Sequence, residues 1–122
     1  MATVELTAAN FDEVTSSEGT VLVDFWADWC GPCKRFAPVY EKLSEQHPEI
    51  TFGKVDTEAQ QEIAAKFEIR SIPTIMAVRD GVIVFSQPGA LPESALQSLI
   101  DQVQALDMDD VRKQLAGHTH EH

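Results

Sequence analysis

The run Val21-Leu22-Val23-Asp24-Phe25-Trp26 is almost continuously apolar and rich in branched and aromatic side chains. A strand with one wet face alternates apolar with polar residues, so a run of this kind belongs to a strand covered on both faces. It is read as the central strand of a sheet held between two layers. Asp24 breaks the run, and a carboxylate buried there without a partner is costly and has a raised pKa.

The segments on either side supply the layers. Asn10-Phe11-Asp12-Glu13 has an N-cap residue followed three positions later by glutamate, which predicts a capping box and a first helix. From Pro32 onward, Phe36, Val39, Tyr40 and Leu43 recur at helical spacing, with Pro38 inside the pattern, so a kinked helix is expected. Ile50 to Val55 is a further buried strand, and Ile63, Ala64 and Phe67 mark a brief amphipathic helix. The runs Ile75 to Val78 and Val82 to Phe85 flank Arg79-Asp80-Gly81, and an Asp-Gly pair in that setting predicts an antiparallel hairpin. Leu96, Leu99, Ile100 and Val103 stripe a last major helix with Pro92 near its start. Met108, Val111 and Leu115 either extend it or form a short extra helix.

Strands alternating with helices, then a hairpin and a closing helix, give an α/β fold: a mixed central β-sheet, part parallel and part antiparallel hairpin, with helices on both faces. The chain's 122 residues, 43% of them hydrophobic, suit one domain and not two. The expected division is a domain at 1–106, a helical extension at 107–116 and a structureless histidine-containing tail at 117–122.

Charge narrows the partners. Twenty acidic against nine basic residues give a formal net charge of -11. Phosphate backbones and anionic lipid surfaces repel such a chain, which argues against nucleic acid and membrane. The first basic residue is Lys34, so the start lacks a charged secretory leader, and no apolar run approaches the roughly 20 residues of a membrane span. A cytoplasmic location is the expectation.

Only two cysteines occur, Cys30 and Cys33, and a bond between them closes too short a loop to stabilise the fold much. The spacing points to redox work or to metal binding. The order strand, Trp29-Cys30-Gly31-Pro32-Cys33, helix places the first sulfur at a helix N-terminus, where backbone N–H groups and the dipole favour a thiolate. Cys30 is then the nucleophile and Cys33 the resolving partner. Lys34 and Arg35 add positive charge nearby or simply face solvent. A buried Asp24, near Lys54, would take the proton from Cys33 when that sulfur attacks; the other reading of Asp24 is a strand residue facing solvent. Trp26 is assigned to the core and Trp29 to the exposed dithiol. For metal, the second ligand pair that a zinc site needs is missing from the domain, although His118, His120 and His122 form a small histidine-rich tail.

The string from Val23 to Lys34, VDFWADWCGPCK, together with Ile72-Pro73-Thr74 about forty residues later, resembles the two signatures of the thioredoxin family. Similarity of order and spacing covers roughly Val4 to Leu106. The resemblance implies a thioredoxin fold and a protein disulfide reductase that maintains redox homeostasis by reversible exchange at Cys30 and Cys33. It implies that Pro73 is a cis-proline beside the cysteines, and that Trp29, Gly31, Pro32, Ile72, Pro73, Gly89 and Ala90 form the substrate-binding surface. No bound cofactor or metal is implied; reducing equivalents would come from NADPH through thioredoxin reductase, and the other partners would be disulfide-containing client proteins. A monomer is expected. Gly31-Pro32 between the cysteines is similar to the reducing members. A purely structural use of the fold is disfavoured because both cysteines, Asp24 and Pro73 are all present. Ser71 and Pro88 depart from the common pattern and bear on partner preference.

Overall fold

The computed structural model describes residues 2–120, and the side chains of residues 2–116. In chain order the elements are β1 (Thr3–Glu5), α1 (Phe11–Thr15), β2 (Thr20–Trp26), α2 (Gly31–Gln46), β3 (Thr51–Asp56), α3 (Gln61–Lys66), β4 (Thr74–Arg79), β5 (Val82–Pro88), α4 (Glu93–Gln104) and α5 (Met108–His120). The strands form a single five-stranded sheet in the order β1-β3-β2-β4-β5. β2 is central, as its apolar run requires. It pairs in parallel with β3 and antiparallel with β4, and β4 and β5 form the expected hairpin. Asp80 and Gly81 both have positive φ, the conformation that a tight two-residue hairpin turn demands.

Alternation along β2 divides the core. Val21, Val23 and Phe25 pack with Phe11, Val55 and Ile63 on the α1–α3 side. Leu22 packs with Phe36, Tyr40, Phe52, Leu96 and Ile100 on the α2–α4 side. Successive strand residues point to opposite faces, so Asp24 shares the α2–α4 face with Leu22, and Lys54 shares it with Phe52. Gly53 of β3 has no room for a side chain: a Cβ there would run into the side chain of Leu6 and come within 3.3 Å of the Leu22 carbonyl oxygen. Full burial of Leu22 and Ile75 implies that truncating either to alanine costs about 2–5 kcal/mol.

Two local expectations, at Asn10 and Trp26, are corrected. Asn10 stands at the N-cap of α1 but makes no capping bond; its Oδ1 accepts from the Thr7 N–H at 2.7 Å and its amide donates to the Glu5 carbonyl. The side chain serves the preceding loop, a local bond that competes with capping. Helix α2 runs from Gly31 to Gln46 with Pro38 on its exposed side, where the carbonyl left without a donor can meet water. Trp26, expected in the core, is half-buried at the end of β2 with the Lys54 ammonium 4.9 Å from its ring centroid. That contact lets the indole lie across an apolar surface while its outer face holds a cation.

The C-terminal segment is a separate helix. Arg79 donates to the carbonyls of Val103, Gln104 and Leu106 at 2.6, 3.2 and 3.4 Å and so closes the C-terminal end of α4. Asp80 accepts from the Gly19 N–H at 2.7 Å and lies 3.8 Å from the Arg112 guanidinium of α5, whose Met108 is buried. The backbone continues as helix past the boundary expected at Gly117 through His120, since extending an existing helix adds one bond per residue fixed. Glu121 and His122 of the expected structureless tail lie outside the described residues.

Candidate active site

Strand direction decides which loops meet. β3 runs parallel to β2, so its last residue, Asp56, stands beside Trp26 at the end of β2. β4 runs the other way, so its first residue, Thr74, stands beside Phe25, and the last residue of β5, Pro88, stands beside Thr74. The exits of β2, β3 and β5 and the entrance to β4 therefore share one pole of the sheet. Residues 27–33, 57–58, 71–73 and 89–91 are gathered there from four separate stretches of chain.

Cys30 is the N-cap of α2, with extended backbone, and Pro32 lies in the first turn where its missing N–H costs nothing. The two cysteines are joined as a disulfide, with Cα atoms 5.3 Å apart. Cys30 Sγ accepts from the Cys33 N–H at 3.2 Å and lies 3.7 Å from the Ile72 carbonyl oxygen. Both sulfur-bearing residues are buried, while Gly31 and Pro32 between them are exposed. The peptide bond Ile72-Pro73 is cis. Gly89 has positive φ, and its N–H donates to the Pro73 carbonyl at 2.7 Å, tying the β5 exit to the β4 entrance.

A cleft of about 280 Å³ opens beside Trp29 and Ile72, and one of about 290 Å³ lies between Pro32 and Ala90. A larger cleft of about 440 Å³, between α1, α3 and the hairpin, contains none of these residues. Trp29 is 70% exposed, held by a 3.0 Å bond from its indole N–H to Glu58. Ile72, from the second signature, is half-buried and lines the same cleft.

On β2, Asp24 is 1% exposed, which excludes the solvent-facing reading. Both of its carboxylate oxygens are buried and lack a hydrogen-bond partner among the described residues. Burial pushes the carboxyl up to about 7, and the Lys54 charge, in register on β3, only partly opposes this. Lys54 makes no ion pair with Asp24; its ammonium sits over Trp26. Cys33, Phe36 and Tyr40 form the buried stripe of α2, so Cys33 and Asp24 border the same layer between β2 and α2 without a bond between them. Tyr40 was missed by sequence reasoning. Its hydroxyl donates to the Gly53 carbonyl at 2.7 Å, and burial with the Asp24 charge holds the phenol well above its ordinary pKa. Glu58 was missed as well, because a contact between residues 29 and 58 leaves no local signal.

A family model for thioredoxin matches residues 2–102. The chain belongs to the thioredoxin family. It is 61% identical over 115 residues to putative thioredoxin 2 of Streptomyces coelicolor, covering 94% of this chain and 86% of that protein. It is 45% identical over 103 residues to thioredoxin of Bacillus subtilis, covering 84% of this chain and 98% of that protein. Among solved structures, a mutant thioredoxin from Halobacterium salinarum superposes with a TM-score of 0.78 at 36% identity, covering 85% of this chain and 92% of that one. The thioredoxin fold and the activity of a protein-disulfide oxidoreductase follow for this chain, with the redox-active disulfide at Cys30 and Cys33. Thioredoxins work through that disulfide without a bound cofactor. Among the described residues no group of three or more His, Cys, Asp or Glu is placed to hold a metal, and no helix is long and apolar enough to cross a membrane.

Proposed function

We propose that this chain reduces disulfides in client proteins through a two-step exchange in which each residue of the pole has a distinct task. The Cys30 thiolate attacks one sulfur of the client disulfide. The S–S bond breaks, one client sulfur leaves as a thiol after taking a proton, and the other is held to Cys30 as a mixed disulfide. Cys33 then loses its proton to the Asp24 carboxylate and attacks Cys30 Sγ, releasing the second client sulfur. Two electrons pass to the client, and the Cys30–Cys33 disulfide is formed.

The observation that carries this reading is a disulfide-bonded cysteine pair at the start of α2, with a buried carboxylate that no hydrogen bond occupies bordering the same layer between β2 and α2. A carboxyl with a pKa of about 7 accepts a proton at neutral pH and gives it up again, which is the property a general base at this position needs. Lys54 modulates Asp24 by favouring its charged form. Trp29, Gly31, Pro32, Ile72, Pro73, Gly89 and Ala90 form the docking rim, with the backbone of Ile72 available to pair with an extended client segment. Thioredoxin reductase, drawing on NADPH, returns the two electrons. The protein acts as a monomer in the cytoplasm, within cellular redox homeostasis.

Reduction of insulin disulfides under dithiothreitol tests the reading. The chain is expected to accelerate the reaction and Cys30→Ser to abolish the acceleration. A wild-type chain that leaves the rate unchanged, or a potential against glutathione in the strongly oxidising range, would overturn it.

A further inference from the structure

The cleft between α2 and the loop leading into α4 differs from its neighbour at Trp29. Pro32, Arg35, Phe36 and Val39 fall at i, i+3, i+4 and i+7 along α2 and so form one stripe, and Ala90 and Leu91 face them. Phe36 is buried, Val39 and Leu91 are half-buried, and Pro32, Ala90 and Arg35 are exposed. The floor is therefore apolar, and its one charged lining group is a guanidinium. Pro32 lies between the two cysteines, so this cleft adjoins the disulfide. Arg35 folds back toward it: Nη1 lies 3.4 Å from the position that a Cβ on Gly31 would take.

Arg35 has no hydrogen bond or ion pair among the described residues. Acids outnumber bases twenty to nine in this chain, and several cations find them: Lys42 reaches Glu93 at 3.0 Å, Lys66 reaches Asp12 at 3.8 Å and Arg112 reaches Asp109 at 3.6 Å, whereas Arg35 and its neighbour Lys34 reach none among the described residues. On the opposite side of the dithiol, Arg70 lines the Trp29 cleft but lies 4.0 Å from Glu68, and Glu58 and Asp28 add negative charge there. The rim is thus polarised, with its uncompensated positive end at Lys34 and Arg35, of which Arg35 lines the cleft.

Resting on the reductase reading above, we propose that Arg35 is a specificity determinant, and that this cleft selects client segments carrying an apolar side chain next to a carboxylate within a few residues of the disulfide cysteine. The apolar side chain fills the space over Phe36, Val39 and Leu91, and the carboxylate is forked by the guanidinium. The preference is local. A net charge of -11 repels acidic proteins as a whole, so Arg35 distinguishes the residues beside the client cysteine and not the overall charge of the client.

Disulfide-linked dimers of a short peptide with one cysteine and one neighbouring leucine are the probe. A glutamate is moved through the positions on each side of the cysteine, each peptide is paired with its glutamine counterpart, and the rate constant for reduction by the pre-reduced protein is read after acid quench. At one position glutamate is expected to be faster than glutamine by roughly two- to fivefold, the size of a single solvent-exposed ion pair. The ratio is expected to fall to one in Arg35→Gln, to drop below one in Arg35→Glu, and to vanish in wild type at about 0.5 M salt. Ratios of one at every position in wild type, or a ratio that survives in Arg35→Gln, would overturn the proposal alone. Failure to reduce any peptide, the glutamine series included, would overturn the reductase reading and this one with it.

Discussion

Replacing Asp24 by asparagine separates the cost of burying a charge from every other role of the side chain. Burial raises the Asp24 carboxyl from 3.8 to about 7 in the folded protein. Between those values the folded state holds a proton that the unfolded state has released, so stability falls as pH rises through the window. Each unit of pKa difference is worth about 1.36 kcal/mol, and the window spans about three units, so wild type loses about 4 kcal/mol between pH 4 and pH 8 on account of this one group. No discount for solvent screening applies, since the residue is 1% exposed. Asparagine cannot ionise. Its amide meets the same partnerless surroundings, but that penalty does not change with pH and enters as a constant offset. Urea unfolding of the oxidised proteins at pH 5, 6, 7, 8 and 9 gives the stability of Asp24→Asn minus that of wild type, a difference in which the other acidic residues cancel. The difference is expected to grow by about 1.4 kcal/mol per unit up to pH 7 and then level off. A difference that stays flat across the range would show that ionised Asp24 is not penalised, and the reasoning that makes it a proton acceptor would fall with it.

Other perturbations probe separate parts of the molecule. In Cys33→Ser the mixed disulfide between Cys30 and a client has no resolving thiol, so intact mass spectrometry should find a stable covalent adduct; rapid turnover without an adduct would remove Cys33 from its role. His47 places Nε2 2.9 Å from Gln97 Oε1 and Nδ1 3.2 Å from Glu49, and the Gln97 amide is oriented by its bond to Asp101, so both ring nitrogens face acceptors and the hydrogen bonds, that to Gln97 first, raise the pKa above 6.5. The stability this brace contributes is present in full below the unfolded value and is lost as pH rises through the folded one; the Tm gap between wild type and His47→Ala should therefore narrow on going from about pH 6 to pH 8. Arg79→Met removes a donor from the carbonyls of Val103, Gln104 and Leu106, of which that of Val103 keeps the Leu106 N–H, and is expected to cost about 1–2 kcal/mol in urea unfolding, because those carbonyls can turn partly to water.

What could be read from the chain depended on how local the determining interaction is. The Val21 to Trp26 run, the Asp80-Gly81 turn and the stripe on α4 each announce their element through neighbouring residues, and the fold has them in the expected places. The dithiol segment is legible for the same reason, being one contiguous string at a strand-to-helix junction. Asn10 misled because two local hydrogen-bonding patterns were open to the same side chain and the loop to Thr7 won. Trp26 misled because composition does not show that a strand is about to end beside a lysine on its neighbour. Glu58 against Trp29, Tyr40 against the Gly53 carbonyl and Arg79 against the end of α4 all join distant parts of the chain. Their partners exist only once strand order and direction are fixed.

The gathering of four chain stretches at one pole of the sheet also bears on how such a molecule can diversify. Gly31, Glu58, Ser71, Pro88 and Ala90 are exposed and lie beyond the strand ends or at their last residue, whereas the residues that hold the two layers together lie inside. Changes at the former redraw the rim around the dithiol without altering a core contact. Client repertoire can therefore drift, one loop at a time, across lineages that keep the same reactive pair and the same stability.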